Sequence, residues 1–262
     1  MKAVLRYILV GVLIAGWLTG TGFLFRYMRQ ERSAAVCNRL EVHFADSLRF
    51  VSEQDVRGYL DREYGAYVGQ RLDSVQLSHI EDLLESRSAV MNCEAWTTDD
   101  GALHLEITQR APVLRFMSSE QEGFYVDAQG YIFPLHKSYT APVPVVEGAI
   151  PVHVDAGYKG EAPTERERAW IAGVLAMNRY VSASRTWKRS IRHVRVRANG
   201  DLLLSLEGRS EEFIVGQPED IPDKLFRIDR YLGAIAPTKA EGYYKTVNVK
   251  YKQQIICRQK DT

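Results

Sequence analysis

The segment Tyr7–Phe25 (YILVGVLIAGWLTGTGFLF) is uncharged throughout, and it sets the first constraint on what this chain can fold into. As a helix rising about 1.5 Å per residue it would be roughly 28 Å long, against a bilayer hydrocarbon core of ~30 Å. Arg6 and Arg26 bracket it. The expectation is an N-terminal transmembrane helix over residues 7–25, with a short tail over 1–6 and a polar linker over 26–36. The lipid bilayer would then be this segment's partner. A cleaved signal peptide is the competing reading, since Lys2 and Arg6 suit its basic start and Ser33-Ala34-Ala35 its cleavage site. The apolar run, however, outlasts the usual core of about 7–15 residues, and Arg26, Arg29 and Arg32 lie between it and that site. Those arginines also outweigh Lys2 and Arg6, so charge bias alone does not put the N-terminus in the cytoplasm. Gly16 and Gly20 form a G-x-x-x-G pair, the spacing that lets a second helix approach closely.

The chain of 262 residues has room for two modest domains beyond such a segment. With 45% hydrophobic and 26% charged residues it should fold as ordinary globular protein. A net charge of +1 excludes the strongly basic footprint of a nucleic-acid binder. Three cysteines, Cys37, Cys93 and Cys257, are too few for a disulfide scaffold. Cys37 and Cys93 fall on expected strands of one domain, and whether they form a disulfide stays open.

From 37 to 112 the pattern is strand, helix, helix, strand, strand. Leu40, Val42 and Phe44 alternate with polar residues as a half-buried strand does. Ser52-Glu53-Gln54-Asp55 opens a helix with a capping box, and Asp73 or Ser74 opens a second carrying Ile80, Leu83 and Leu84. Met91, Cys93 and Ala95 lead to an Asp100-Gly101 hairpin turn, and Leu103, Leu105 and Ile107 return. This βααββ order is POTRA-like. The second part, 113–262, is richer in strands. Thr164 and Glu167 cap a helix, Asn199-Gly200 marks a hairpin, and Ile221, Leu225, Ile228 and Leu232 define another helix. Tyr244–Cys257 reads as one long closing strand. The fold class is therefore α+β, with a POTRA-like domain followed by a β-rich domain holding two or more helices.

No G-x-S-x-G, H-E-x-x-H or P-loop occurs. His79-Ile80-Glu81 and His104-Leu105-Glu106 are lone H-x-E pairs with no downstream C-x-x-C, and the six histidines show no paired ligand spacing. The basic stretch from Arg185 to Arg197 has the charge to meet anionic lipid or an acidic partner, but a solvated face is the preferred reading. Nothing here assembles a catalytic, cofactor or metal site, nor one for a small-molecule substrate.

Several pieces occur in a telling order. They are Gln109-Arg110-Ala111-Pro112-Val113, Val126-Asp127-Ala128-Gln129-Gly130, Val143-Pro144-Val145-Val146-Glu147-Gly148, and Tyr244-Lys245-Thr246-Val247-Asn248-Val249-Lys250-Tyr251. With the POTRA-like order before them, they resemble the bacterial cell-division family FtsQ/DivIB. Gln109 departs from the Glu common at its position, and the tail before the apolar run is shorter than many members carry. The resemblance implies a cytoplasmic N-terminus, a single pass through the inner membrane, the bulk in the periplasm, and a place at the division septum. It implies a non-enzymatic scaffold that binds single-span coiled-coil division proteins of the FtsB/FtsL type. It also implies a partner-binding strand over Lys245, Thr246, Val247, Asn248, Val249, Lys250, Tyr251, Lys252, Gln253 and Gln254, acting by β-augmentation. Leu225, Arg227, Arg230 and Tyr231 are expected on the adjacent helix. Val247, Val249 and Tyr251 would anchor that strand, while Thr246, Asn248, Lys250 and Lys252 would face the partner or solvent. Two other classes remain in view: an envelope chaperone or secretion component, which would carry tandem POTRA repeats or a barrel, and a membrane-anchored cell-wall enzyme, which would need a nucleophile or metal cluster.

Overall fold

In the computed structural model, residues 14, 16–22, 35–120 and 122–260 are described, and the chain divides into two compact units, Met1–Gln109 and Arg110–Thr262.

The first unit is built from β1 (Arg39–Phe44), α1 (Glu53–Glu63), α2 (Leu77–Glu85), β2 (Val90–Thr97) and β3 (Ala102–Gln109). Its sheet runs β1-β3-β2, with β1 parallel and β2 antiparallel to the central strand. Alternation on β3 puts Leu103, Leu105 and Ile107 inside with Val56 and Leu60 of α1 and Ile80 and Leu84 of α2. His104 and Glu106 therefore point to the other face. α1 starts where its capping box predicts: the Ser52 hydroxyl accepts from the Asp55 N–H at 3.2 Å, and the Asp55 carboxylate accepts from the Ser52 N–H at 3.0 Å. α2 starts later than expected. Leu72–Ser74 is a 3₁₀ turn, Val75 is extended, and the Gln76 N–H is satisfied by the Tyr64 hydroxyl at 2.9 Å. That cap comes from a residue on the preceding turn, so local sequence does not announce it.

Gln109 repays its departure from Glu. Its amide donates to Asp46 Oδ1 at 3.0 Å and to the Leu48 carbonyl at 2.7 Å, while its Oε1 accepts from the Val51 N–H at 2.9 Å. A carboxylate there would meet Asp46 with two acceptors and no donor. Cys37 and Cys93 are buried free thiols, and burial, reinforced by nearby carboxylates, pushes Cys93 up to about 12.

The second unit holds a nine-stranded sheet in the order β12-β11-β10-β9-β8-β7-β4-β5-β6. Its strands are β4 (Pro112–Met117), β5 (Gly123–Asp127), β6 (Ile132–Pro134), β7 (Val145–Gly148), β8 (Ile191–Val196), β9 (Leu202–Leu206), β10 (Glu212–Gly216), β11 (Tyr244–Asn248) and β12 (Ile256–Gln259). Between β7 and β8 come α3 (Glu165–Ala183) and the single turn α4 (Trp187–Ser190), and between β10 and β11 comes α5 (Ile221–Arg230). Trp170, Ile171 and Val174 of α3 and Leu225 and Ile228 of α5 share one core with Phe116, Val126, Leu204, Phe213 and Val247, so both helices cover the same sheet face. Two of the ordered sequence pieces meet at one carboxylate. Asp127 accepts from the Gln129 and Tyr131 N–H groups at 2.9 Å each, and from Arg110 Nη1 at 2.8 Å, which fixes both the β5–β6 turn and the entry to β4.

The membrane reading requires correction. Among the described residues no helix is long and apolar enough to cross a membrane. Of the stretch 7–25, residues 14 and 16–22 are described, and they are helical. The described part carries only Ile14, Trp17 and Leu18 as large apolar side chains. It is also diluted by Gly16, Gly20 and Gly22, and by Thr19 and Thr21, whose hydroxyls bond back to carbonyls one turn earlier. The single-pass transmembrane helix, its contact with the lipid bilayer and the inner-membrane placement drawn from it are thus not carried forward. Space beside Gly16 and Gly20 is open, with nothing within 4 Å of an added Cβ.

Candidate functional site

The chain's closing segment does not form one long strand. β11 ends at Asn248, residues 251–254 make a turn in which Gln253 has a φ of +60°, and β12 follows. β11 is flanked on both sides. It runs parallel to β10, pairing Thr246 with Glu212 and Val247 with Phe213, and antiparallel to β12, pairing Val247 with Cys257 and Asn248 with Ile256. The strand at the end of the sheet is β12. Its outer side has no neighbouring strand among the described residues, and Ile256, Arg258 and Gln259 are exposed. At the opposite end, Ile132 of β6 is bridged to Gly160 in both directions, at 2.8 and 3.0 Å. The two ends of the sheet are therefore unequal, and the open one is β12.

The residues expected for recognition separate by role. Val247 and Val249 are fully buried in the unit's own core, as anchors should be, whereas Tyr251 is 51% exposed in the turn. Lys250 is tied down: its Nζ lies 3.0 and 2.9 Å from the carboxylate oxygens of buried Asp201. Asn248 accepts from the Lys250 N–H at 2.9 Å. Lys252 sits 3.7 Å from Asp220 on the surface. Lys245, Gln253 and Gln254 are exposed, and Thr246 is half-buried. The lysines do not form a continuous cationic stripe.

On the helix side, Leu225, Arg227 and Tyr231 are internal and only Arg230 is exposed. Arg227 Nε and Nη2 donate to the Val249 carbonyl at 3.2 and 2.8 Å, and its Nη1 pairs with Asp223. This cation closes the end of β11 from within rather than reaching outward. The Tyr231 hydroxyl donates to Glu211 Oε1 at 3.1 Å; burial, with that neighbouring carboxylate, raises its ionisation well above the usual tyrosine range. Tyr231 and Tyr244 also line a cleft of about 400 Å³ closed by Arg209, Ala236, Pro237 and Tyr243. Gln259 of β12 reaches the Tyr243 hydroxyl at 2.7 Å.

Sequence reading missed β12 as a separate element. The signal was there in the polar pair Gln253-Gln254 followed by Ile255-Ile256-Cys257, which restarts an apolar run after a break. Phe226 of α5, 58% exposed, and Ile256, 47% exposed, were likewise not singled out. What the arrangement offers among the described residues is a short strand with no strand on its outer side and exposed apolar side chains beside it.

Comparison with known families bears on this geometry. A family model described as "FtsQ/DivIB, C-terminal related" matches residues 111–258, and a POTRA-like domain model matches residues 35–108. The curated proteins give no match to the chain.

Proposed function

This chain belongs to the FtsQ/DivIB family, and from that premise we propose that it works as a non-catalytic scaffold of the division complex, binding FtsB/FtsL-like single-span division proteins. Family membership supports the general divisome role, and the POTRA-like and FtsQ-type units are consistent with a periplasmic setting. The binding step is our own reading. A segment of the partner adds to the closing hairpin, residues 244–259, as a further strand alongside β12. Main-chain hydrogen bonds supply affinity, and alternate side chains supply register and choice of partner.

The observation that carries this reading is the open edge of β12. A nine-stranded sheet whose other end is bridged ends here in four residues with no outer neighbour among the described residues. Proteins commonly blunt such edges with charge, bulges or covering loops. Here Ile256 is left exposed on the edge strand, which suits a surface kept for one partner.

Affinity capture of an FtsB-like partner by the full chain tests the proposal, comparing wild type with Ile256→Asp and Gln259→Pro. The Gln259 N–H alternates to the outer side, because that of Lys260 bonds inward to the Tyr243 carbonyl. Proline removes one edge donor and stiffens the backbone. Both variants must first match wild type in circular dichroism and urea midpoint. Loss of capture by folded variants supports the edge. Undiminished capture by both moves the partner site elsewhere.

A further inference from the structure

The outer face of the first unit's sheet brings together three donors that are remote in sequence. Glu41 and His43 are two apart on β1 and so project to the same side, and β1 pairs in parallel with β3 so that Glu41 lies directly opposite His104. Glu41 Oε2 is 3.4 Å from His104 Nδ1 and 4.0 Å from His43 Nε2. One donor atom from each of the three residues falls within 4.8 Å of the others.

The surroundings orient these donors. Arg39 Nε holds Glu41 Oε1 at 2.8 Å, which leaves Oε2 turned to the imidazoles. Arg39 is itself paired with Asp100, so its guanidinium is balanced by carboxylates rather than left to repel a second cation. The ionised Asp100 only accepts, so the Thr98 hydroxyl donates to it, and the Thr98 oxygen then accepts from His104 Nε2–H across 3.1 Å. With that proton on Nε2, Nδ1 is the His104 nitrogen turned to the Glu41 carboxylate. A nitrogen and a carboxylate oxygen facing each other at 3.4 Å accommodate a positive charge between them, either a metal ion or a proton on Nδ1. Trp96 of β2 stacks on His104 at 5.3 Å with planes 7° apart and restricts its rotation. On the same face Glu106 lies opposite both His43 and Glu94, so carboxylates outweigh the single guanidinium of Arg39 around the imidazoles.

We propose that Glu41, His43 and His104 bind a divalent transition-metal ion, Zn²⁺ by ligand type, with a fourth position open. Two imidazoles and one carboxylate are a common zinc donor set, and a hydrogen bond that fixes the far nitrogen of a ligating histidine is its usual support. Bonds of 2.0–2.1 Å at tetrahedral angles put donors roughly 3.4 Å apart. Glu41 and His104 stand at that spacing already, and His43, with its side chain 60% exposed, has room to close the remainder. The competing arrangement is an imidazolium on His104 ion-paired with Glu41 and stacked on Trp96, which needs no metal.

The test is a calorimetric titration of the untagged full chain with Zn²⁺, repeated with Co²⁺ to read coordination from its visible d–d bands. The expected result is saturable uptake of one ion per chain with a four-coordinate cobalt spectrum. His43→Ala, His104→Ala and the isosteric Glu41→Gln should each abolish or strongly weaken uptake. Thr98→Val should weaken it by roughly 10- to 100-fold, and His153→Ala should leave it unchanged. Circular dichroism of each variant guards against misfolding, and His43, being exposed, is the safest of the set. Absence of saturable uptake, or uptake unchanged in the folded His43→Ala variant, overturns the proposal in favour of the ion pair.

Discussion

In the first unit the small sheet buries one face under two helices and leaves the other to polar side chains, Glu41, His43, Glu94, His104 and Glu106. In the second unit the side-chain face under α3 and α5 is filled, and part of the opposite face is buried too, at Tyr125, Phe133 and Leu203. What that larger sheet leaves open is backbone at its β12 end. One region thus offers side-chain chemistry on a face, and the other offers main-chain hydrogen bonding at an edge. Faces are set by alternation along a single strand. An edge is set by which distant strands pair, so it emerges only when the whole sheet is assembled.

The contrast between filled core and open rim can be broken by substitution. Phe213 is fully buried at the centre of the larger core, with its ring 5.7 Å from that of Tyr231. Phe213→Ala should cost about 3–5 kcal/mol by urea unfolding. A loss below about 1 kcal/mol would mean the core collapses around the gap and is less closely packed than described. Arg227→Met tests the inner closure of β11: it leaves the Val249 carbonyl without its two donors and should cost about 1.5–3 kcal/mol.

Thr164→Ala, which removes the cap of α3, should cost about 1 kcal/mol by the same method. The capped carboxylate adds a pH signature. Burial alone would raise Glu167, but the N–H of His153, the Thr164 hydroxyl, the His153 ring and the Thr164 N–H outweigh it and hold it at about 2. A folded value below the unfolded one of about 4.3 means this stabilisation is whole at neutral pH. It is lost as pH falls from about 4 through about 2, and Glu167→Gln should flatten that limb of the stability curve. Smallest in stability is Ile256→Asp at the rim, expected within about 0.5 kcal/mol of wild type. If it matched Phe213→Ala, the distinction between core and rim would fail.

Much of this architecture was legible because it is local. Ser52 with Asp55 and Thr164 with Glu167 announce two helix starts, and both capping boxes form. Asp100-Gly101 and Asn199-Gly200 announce hairpins, and both glycines take positive φ, +89° and +79°. The closing hairpin was not legible because its turn uses Tyr251-Lys252-Gln253-Gln254, with no Gly, Pro, Asn or Asp to mark it, and Gln253 takes the positive φ. Lys250 looked free for a partner because Asp201 lies 49 positions away. The histidines looked unpaired because their relation runs across a parallel ladder: Glu41 meets His104 only once β1 is docked on β3. The uncharged N-terminal run points to a span by length and lack of charge alone, whereas among the described residues no helix is long and apolar enough to cross a membrane.

Backbone hydrogen exchange on the full chain, with and without an FtsB-like partner, tests the edge most directly. The account predicts that the outward amides of Cys257 and Gln259 gain protection on binding, while those of β1, β2 and β3 keep their free-state rates. Protection confined to the first unit, with β12 exchanging as it does in the free chain, would contradict it.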